Sequence, residues 1–382
     1  MIKSAEEQVK KYFESNRWNT YENTEGTFFY KNRNPTQIKG YEFLGYSKKK
    51  GLVSASDMIG QLKEFFIPLG YEKKKSKNII RPNKSSTFFM TSGIQSFEED
   101  LIEGKIPEVT DSLFIQPVIR TNYATSVGEG NVSSFVNPST IRFDCSPEQY
   151  VEDLDNWMNF LSKTGLYLAD FNFKLKSKEN SDNSQNPWKR NKGFVVSCSY
   201  GGLGLGDAGY CSIPNGQKPF EDIGFGLERL LWARNKTSSF KDIVGVFPYS
   251  FNQSMKTIDT FRTLSLMAMS NINTNEDANN QFKKYLSQID LSSTDIEPQI
   301  RTYYKFWNQF VAPQKGMEET IQYLTGKVNE IRNTNTLKKI GMKNVPKGLN
   351  RIISQDQDPF IREVIKLNLN NLSLLRKLCE DN

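Results

Sequence analysis

Hydrophobic side chains recur along this chain with two different spacings, and each spacing predicts one kind of element. In 57–69 the apolar side chains return every three or four residues, which is typical of an amphipathic helix. In 167–176 apolar and polar side chains alternate, which is typical of a strand with one buried face. Helical spacing continues almost throughout 251–382. The order of these elements predicts an α+β fold followed by an all-helical domain.

The same spacings, together with Gly, Pro and Asn turn signals, locate the other elements. Helices are predicted at 4–17, 57–69 and 146–164, and strands at 18–31, 40–46, 79–82, 87–91, 111–121, 140–144, 167–176, 194–200 and 210–213. The polar, Gly-rich residues 122–139 and the charged residues 176–191 are predicted to be loops. Three units are expected: a small α/β extension at 1–54, a central unit at 55–249 and a helical domain at 250–382.

Composition limits the chemistry that the chain can perform. Its 382 residues include no histidine, which excludes Ser–His–Asp and Cys–His catalysis and His-ligated zinc. Reactions that depend on positioning and charge stabilisation, such as transfer from a nucleotide phosphate, fit this limit. The 50 Lys and Arg exceed the 43 Asp and Glu by seven, which permits an anionic partner without requiring one.

Apolar runs and cysteines indicate the cellular compartment of the protein. No apolar run approaches the ~18 residues of a membrane span, and the N-terminal residues lack the apolar stretch of a signal peptide. Cys145, Cys198, Cys211 and Cys379 form no Cys-x-x-Cys pair and are predicted to be reduced thiols. We therefore expect a cytoplasmic protein with no membrane partner and no metal held by His or Cys.

The stretch 221–229, Glu-Asp-Ile-Gly-Phe-Gly-Leu-Glu-Arg, predicts a strand that turns into a helix. Gly224 and Gly226 let a ligand approach the backbone where a side chain would block it. The helix N-terminus and the planar guanidinium of Arg229 both favour a phosphate. Asp222 carries the opposite charge, so this segment can hold a phosphate and an ammonium together. The alternative interpretation is a strand–helix junction with a surface arginine.

A second candidate is the hairpin formed by strand 111–121, its polar loop and strand 140–144. This hairpin can fold over a nucleotide, with Arg120 on the α-phosphate side and Phe135 or Phe143 against the base. An ordinary hairpin with a structural arginine ion pair is the alternative.

A third candidate is a group of basic side chains in the helical domain. Its members are Lys338, Lys339, Lys343, Lys347 and Arg351, with few acids nearby. Such a cluster is typical of a solvated helix face or, alternatively, of a surface that contacts RNA phosphates.

Three of these segments, taken in order, resemble the motifs of class II aminoacyl-tRNA synthetases. The helix 57–69 with the strand ending at Pro82 is similar to motif one. The hairpin 120–144 is similar to motif two, and the glycine-rich segment 224–229 is similar to motif three.

The alanyl-tRNA synthetase catalytic domain is the closer resemblance. Thr87-Phe-Phe-Met-Thr-Ser-Gly-Ile-Gln-Ser-Phe97 looks like a segment of that family, and so does the aspartate before the glycines in 222–224. The resemblance covers about 55–247 and is fainter at 259–269, which is similar to the family's first tRNA-recognition helices. It implies a class II fold, in which helices flank an antiparallel sheet.

The resemblance also implies an ATP site. Arg120 would bind the α-phosphate and the charge that develops during adenylation, and Arg229 would bind the γ-phosphate. Phe143, or alternatively Phe135, would lie against the adenine, and Gly226 would approach the nucleotide. Mg²⁺ would be carried by the ATP.

The implied second substrate is a small, alanine-like amino acid. Asp222 would hold its α-ammonium group, and Gly224 would line a pocket too small for long side chains. The activated aminoacyl group would pass to tRNA, to a carrier protein or to another amine, and the lysines of the third candidate would contact tRNA.

This sequence also departs from the resembling family. The loop 123–130 lacks the histidines of the family's motif two, and a chain without His cannot build the family's editing site. We therefore expect a truncated, editing-free synthetase that is a monomer or a homodimer. A non-catalytic tRNA-binding or regulatory paralogue is the alternative.

Overall fold

A sheet of nine strands organises the part of the chain that this computed structural model describes. The described residues are 1–41, 51–82, 85–108, 111–128, 130–178, 192–212, 218–243, 245–247, 253–289 and 296–339, and the side chains of 178 and 332–339 lie outside the description. Lys338 and Lys339 are therefore described only as backbone, while Lys343 and Lys347 lie outside the described residues.

The strands form one mixed sheet that is almost entirely antiparallel. They are β1 (Asn19–Asn23), β2 (Gly26–Tyr30), β3 (Glu72–Lys73), β4 (Ser112–Ile119), β5 (Ser134–Phe143), β6 (Phe171–Lys178), β7 (Gly193–Tyr200), β8 (Leu203–Ser212) and β9 (Pro219–Phe225). Their order is β1-β2-β6-β7-β8-β9-β5-β4-β3, and only the pair β3–β4 is parallel.

Helices flank this sheet and continue beyond it. They are α1 (Ile2–Ser15), α2 (Ala55–Phe66), α3 (Glu98–Ile102), α4 (Pro147–Thr164), α5 (Leu227–Asn235), α6 (Met255–Met269), α7 (Glu276–Leu286), α8 (Ile296–Trp307) and α9 (Met317–Lys339). The predicted α+β class, a sheet flanked by helices and followed by helices, is confirmed. No helix among the described residues is long and apolar enough to cross a membrane.

Alternation along the strands gives the sheet two different faces. In β9, Ile223 and Phe225 belong to the main hydrophobic core, whereas the residues that precede each of them, Asp222 and Gly224, are only half-buried. In β7 the alternation puts Phe194, Val196, Cys198 and Tyr200 into the same core. We call the side covered by α1, α2, α4 and α5 the helix face, and the opposite side the open face.

The helix face is held by a well-terminated α4. The Ser146 hydroxyl accepts a hydrogen bond from the Gln149 amide, and the Gln149 side-chain oxygen accepts one from the Ser146 amide, which forms a capping box. Gly165 ends the helix at φ 106°. Trp157 of this helix is fully buried, and its ring centroid lies 4.5 Å from that of Phe225. The helix thus packs directly beneath the strand that carries the candidate site.

The N-terminal residues extend the same sheet. β2 pairs with β6, and Phe29 lies opposite Phe173. Phe13 of α1 stacks on Phe29 with ring centroids 4.2 Å apart. Residues 1–41 therefore share the core of the central unit, while the division of the chain at 54 and 249 stays a prediction.

Buried charges attach the helical region to the sheet. Arg262 of α6 is fully buried and donates to the Ser134 carbonyl at 3.0 Å and to the Glu228 carboxylate. Asp259, one turn earlier, accepts from the Ser133 amide at 2.7 Å and from its hydroxyl at 2.6 Å. Removing one partner of a buried charge pair leaves the other unpaired and strongly destabilises the fold. The contacts therefore join α6 and the start of β5 into one unit.

The hairpin between 111 and 144 differs from the predicted one. Residues 122–139 were expected to be a loop, but β5 already begins at Ser134. Its partner β4 supplies the backbone hydrogen bonds, and α6 buries its first residues, so polar serines and an asparagine are accommodated there. The predicted strands 79–82 and 87–91 are reduced to a single bridge, Ile80 with Phe89.

Candidate active site

Two adjoining cavities lie on the open face, and they share part of their lining. The larger has a volume of about 390 Å³ and the smaller about 240 Å³. Arg120, Asn137, Asp207 and Gly224 line both. Arg229 lines the larger one and Asp222 the smaller one. The predicted anion-binding and cation-binding side chains therefore meet at a common border.

Arg120 lies at that border because β4 ends beside β5. Its backbone amide still pairs with Ser133, and its Nε and Nη2 donate to the Thr91 carbonyl at 3.1 and 3.0 Å. The guanidinium also lies 5.0 Å from the ring centroid of Phe135. The Thr91 carbonyl and the Phe135 ring fix the orientation of the Arg120 guanidinium, so its remaining N–H groups point in a defined direction.

Arg229 is in the first turn of α5, as predicted, and its guanidinium is already engaged. It donates to the Gly130 carbonyl at 2.6 Å, to the Gly204 carbonyl at 3.0 Å and to Asn131 Oδ1 at 2.6 Å. These three bonds tie the loop between β4 and β5 to the start of β8. A guanidinium has five N–H groups, so binding a phosphate here uses the other two or exchanges a protein partner.

Asp222 is the acidic group of the smaller cavity. Its Oδ1 is buried and has no hydrogen-bond partner among the described residues. Burial raises the pKa of Asp222 to about 7; the neighbouring Asp207 adds to the rise, and Arg120 opposes it. A buried carboxylate that lacks a donor is stabilised by a cation, so the cavity favours an ammonium beside Asp222.

Gly224 and Gly226 differ in what requires them. A Cβ on Gly224 would lie 2.9 Å from Asn137 Nδ2 and 3.3 Å from Ser139 Cβ, so packing excludes a side chain there. A Cβ on Gly226 would meet only the Arg229 side chain, at 3.7 Å or more. Gly226 is the N-cap of α5 and lines the larger cavity, where the open backbone suits a nucleotide.

The two phenylalanines predicted for adenine lie in different places. Phe135 lines the larger cavity, together with Tyr123. Phe143 packs edge-on against Phe97 at 5.1 Å between ring centroids, and it lines neither cavity. The placement favours Phe135 over Phe143, because β5 is long enough to carry Phe135 back beside Arg120.

Three side chains of the site were not predicted from the sequence. Asn137 donates to the Phe225 carbonyl at 2.9 Å, and Asp207 is an exposed carboxylate on the floor shared by both cavities. Glu228 is buried and accepts from the Val136 amide at 3.2 Å. The alternation in β8 could have indicated Asp207, but no local signal marks Asn137 or Glu228, because their partners are distant in sequence.

A second acidic group lies behind the site, on the helix face. Glu221, Asp153 and Cys145 bring their ligand atoms within 4.8 Å of one another. Burial, and then Asp153, raise the pKa of Glu221 well above its usual value. Asp153 also accepts from Tyr71 and pairs with Arg142 at 2.8 Å. The raised pKa of Glu221 and the ion pair of Asp153 with Arg142 both lower the charge repulsion between these two carboxyls.

Known proteins resemble this chain only distantly. No family model matches it, and a search of curated proteins found no match. Two solved structures of pyrrolysyl-tRNA synthetase from Desulfitobacterium hafniense are similar, each with 15% identity and a TM-score of 0.37. Each similarity covers 50% of this chain, and 74% and 71% of the two synthetase chains. Both of these structures are of an aminoacyl-tRNA synthetase, and a likeness at this level carries no argument about function.

Proposed function

We propose that this protein activates an amino acid with ATP, forming an aminoacyl-adenylate and pyrophosphate. The observation that carries the proposal is the position of Arg120 between two adjoining cavities. One cavity contains the aromatic ring of Phe135 and the guanidinium of Arg229, which suit a nucleotide. The other contains the Asp222 carboxylate, which suits an ammonium. An amino acid and ATP bound in this way meet at Arg120.

The reaction follows from that meeting point. The α-carboxylate of the amino acid attacks the α-phosphorus, a new C(O)–O–P bond forms, and the bond to the β-phosphate oxygen breaks. Pyrophosphate takes the leaving electron pair. Arg120 stabilises the charge that develops on the α-phosphate, and a carboxylate nucleophile needs no histidine base.

The residues at the border also fit the Mg²⁺ that accompanies ATP. Asp207 offers an exposed carboxylate on the floor of both cavities, and Mg²⁺ prefers oxygen ligands and keeps several waters. When bound, Mg²⁺ neutralises phosphate charge during the transfer. Asp222, by contrast, is half-buried beside Arg120 and is reserved for the ammonium.

ATP–pyrophosphate exchange across the twenty amino acids tests the proposal. We expect exchange with at least one of them, and Arg120→Ala should lower it about 100-fold or more, because a charge-stabilising donor is lost. Arg301→Ala is the matched control, because among the described residues Arg301 pairs with the exposed Glu297 and Glu318, which lie outside both cavities. Absence of exchange with every amino acid contradicts the proposal.

The acceptor of the aminoacyl group is a separate proposal. tRNA is the first candidate acceptor, and a carrier-protein thiol or an amine is the second. If the basic cluster at 338–351 contacts tRNA, charge reversal by Lys339→Glu and Lys343→Glu should weaken tRNA binding. Unchanged tRNA binding would reject that role for the lysines.

A non-catalytic tRNA-binding paralogue is the alternative function. It is favoured by the three hydrogen bonds that already occupy the Arg229 guanidinium. In that case ATP would bind weakly or not at all, and exchange would be absent while tRNA binding persisted.

A further inference from the structure

The smaller cavity is lined by apolar side chains on one side of Asp222. We infer that the activated amino acid carries an aliphatic side chain larger than that of alanine, in the class of valine, isoleucine and leucine. This inference rests on the proposed function and concerns the same site. It replaces the small, alanine-like substrate that the sequence resemblance favours.

Strand register puts the apolar residues next to Asp222. On the open face Asp222 lies opposite Gly209 of β8 on one side and Ile141 of β5 on the other. Gly209 in turn lies opposite Val195 of β7. Two residues further along β9, about 7 Å away, Phe220 lies opposite Cys211. An amino acid with its ammonium on Asp222 therefore has apolar side chains on that side.

These residues belong to a small hydrophobic cluster that is separate from the main core. It consists of Ile94, Leu101, Phe114, Ile141, Cys211 and Phe220. Ile94, Cys211 and Phe220 of this cluster also line the cavity, together with Val195. This cluster forms a local apolar wall of the smaller cavity, and such a wall suits an apolar ligand group.

The polar and charged residues that line the cavity are Ser92, Arg120, Asn137, Asp207 and Asp222. Arg120, Asn137 and Asp207 lie at the border with the nucleotide cavity, and Asp222 is committed to the ammonium. A hydroxyl or amide on the substrate side chain would lose water at the apolar end without gaining these partners, so polar amino acids are disfavoured.

Gly224 was predicted to line a pocket too small for long side chains, and it lines both cavities. A Cβ there would lie 2.9 Å from Asn137 Nδ2, so Asn137 is the side chain that crowds this position. The glycine that opens the cavity is Gly209, where a Cβ would meet only the Asp222 carbonyl, at an ordinary 3.5 Å. The space above Gly209 is thus available to the substrate and is not required by packing.

Exchange kinetics with glycine, alanine, valine, isoleucine, leucine, serine and glutamine test this inference. We expect kcat/KM for the best of valine, isoleucine and leucine to exceed that for alanine by about tenfold or more, because each buried methylene discriminates by that amount. Exchange that is highest with glycine, alanine, serine or glutamine overturns the inference but leaves the proposed function intact. No exchange with any amino acid defeats the proposed function itself.

Filling the cavity from below gives a second test. Gly209→Val should lower kcat/KM for the best aliphatic substrate and shift the preference toward alanine by about tenfold. Gly209→Ala makes the same test with an ordinary contact, should the valine variant not fold. Gly60→Ala, on α2 with open space around it, is the matched control. An unchanged ratio of aliphatic substrate to alanine in a folded Gly209 variant contradicts the inference.

Discussion

Glu221 and Asp222 are adjacent acids on opposite faces of β9, and the two faces treat them differently. Glu221 is fully buried on the helix face, beside Asp153 and Cys145. Asp222 borders a cavity on the open face, and its Oδ1 has no protein partner among the described residues. Neighbouring carboxyls thus have different surroundings: burial in the core favours the uncharged form of Glu221, whereas Asp222 faces a cavity.

The rest of the sheet shows the same contrast. The helix face holds large rings such as Trp157 and Phe225, packed to contact. The open face has Gly209, Gly224 and Asp207 at comparable positions. Because successive side chains of a strand point to opposite faces, alternate residues of one strand can build a core on one face and line a cavity on the other. Substitutions on the two faces should separate stability from activity.

The largest effect is expected on the helix face, from Trp157→Ala. Trp157 is fully buried, and its Nε1 donates to Thr140 Oγ1 at 2.7 Å. Loss of the ring should lower the free energy of unfolding by about 3–5 kcal/mol, as measured by denaturant titration. Amino-acid KM should change little in the protein that stays folded. A loss below about 1 kcal/mol would contradict this account of the helix face.

Next in size is the loss of activity in Asp222→Asn. Removing the charge that faces the ammonium should lower kcat/KM for the amino acid by about 100-fold or more, since a buried charge pair is worth about 2–5 kcal/mol. Asp242→Asn, which changes an exposed acid outside both cavities, is the control. Full exchange activity in Asp222→Asn would show that the ammonium binds elsewhere.

Asp222→Asn should lower activity but raise thermal stability at high pH. The pKa of Asp222 is raised in the folded protein to about 7. The neutral carboxyl therefore contributes stability that is fully present below its unfolded pKa and is lost as the pH rises through about 7. The asparagine variant should consequently gain melting temperature relative to the wild type between pH 5 and pH 8.

Activity should also depend on pH through the same group. Only ionised Asp222 holds an ammonium, so kcat/KM for the amino acid should fall about tenfold for each pH unit below 7. Initial exchange rates at limiting amino acid and saturating ATP measure this slope. A flat profile between pH 5.5 and 7 would mean that Asp222 is already ionised in the free protein.

Two aromatic substitutions should differ by about tenfold in their effect on ATP. Phe135→Leu removes the ring that lines the larger cavity and should raise KM for ATP about tenfold, because base stacking is worth about 1–3 kcal/mol. Phe143→Leu should leave KM for ATP unchanged. The reverse result would restore Phe143, the residue that the sequence resemblance favours.

The smallest effect is expected from Glu221→Gln. Burial and Asp153 raise the pKa of Glu221 well above its usual value, which favours the uncharged form of this carboxyl. An amide of the same shape should change the free energy of unfolding by less than about 1 kcal/mol and leave exchange intact. A large loss would show that Glu221 is ionised and that the two faces are less different than their geometry indicates.

The sequence by itself determined many of the local elements and excluded chemistry that depends on histidine. Period and capping residues located α2 and α4, and the glycines of 224–226 indicated the strand–helix junction before Arg229. The lack of histidine confined the chemistry to charge and positioning. These features depend on neighbouring residues or on composition, so they can be read along the chain.

Only the tertiary structure decided which distant residues meet. Pairing of β5 with β4 carried Phe135 to Arg120, and Asn137 proved to be the reason for Gly224. Pairing of β7, β8 and β9 assembled the apolar wall beside Asp222. Such contacts are set by register and packing between strands that are far apart in sequence, and a one-residue slip would turn each side chain to the other face.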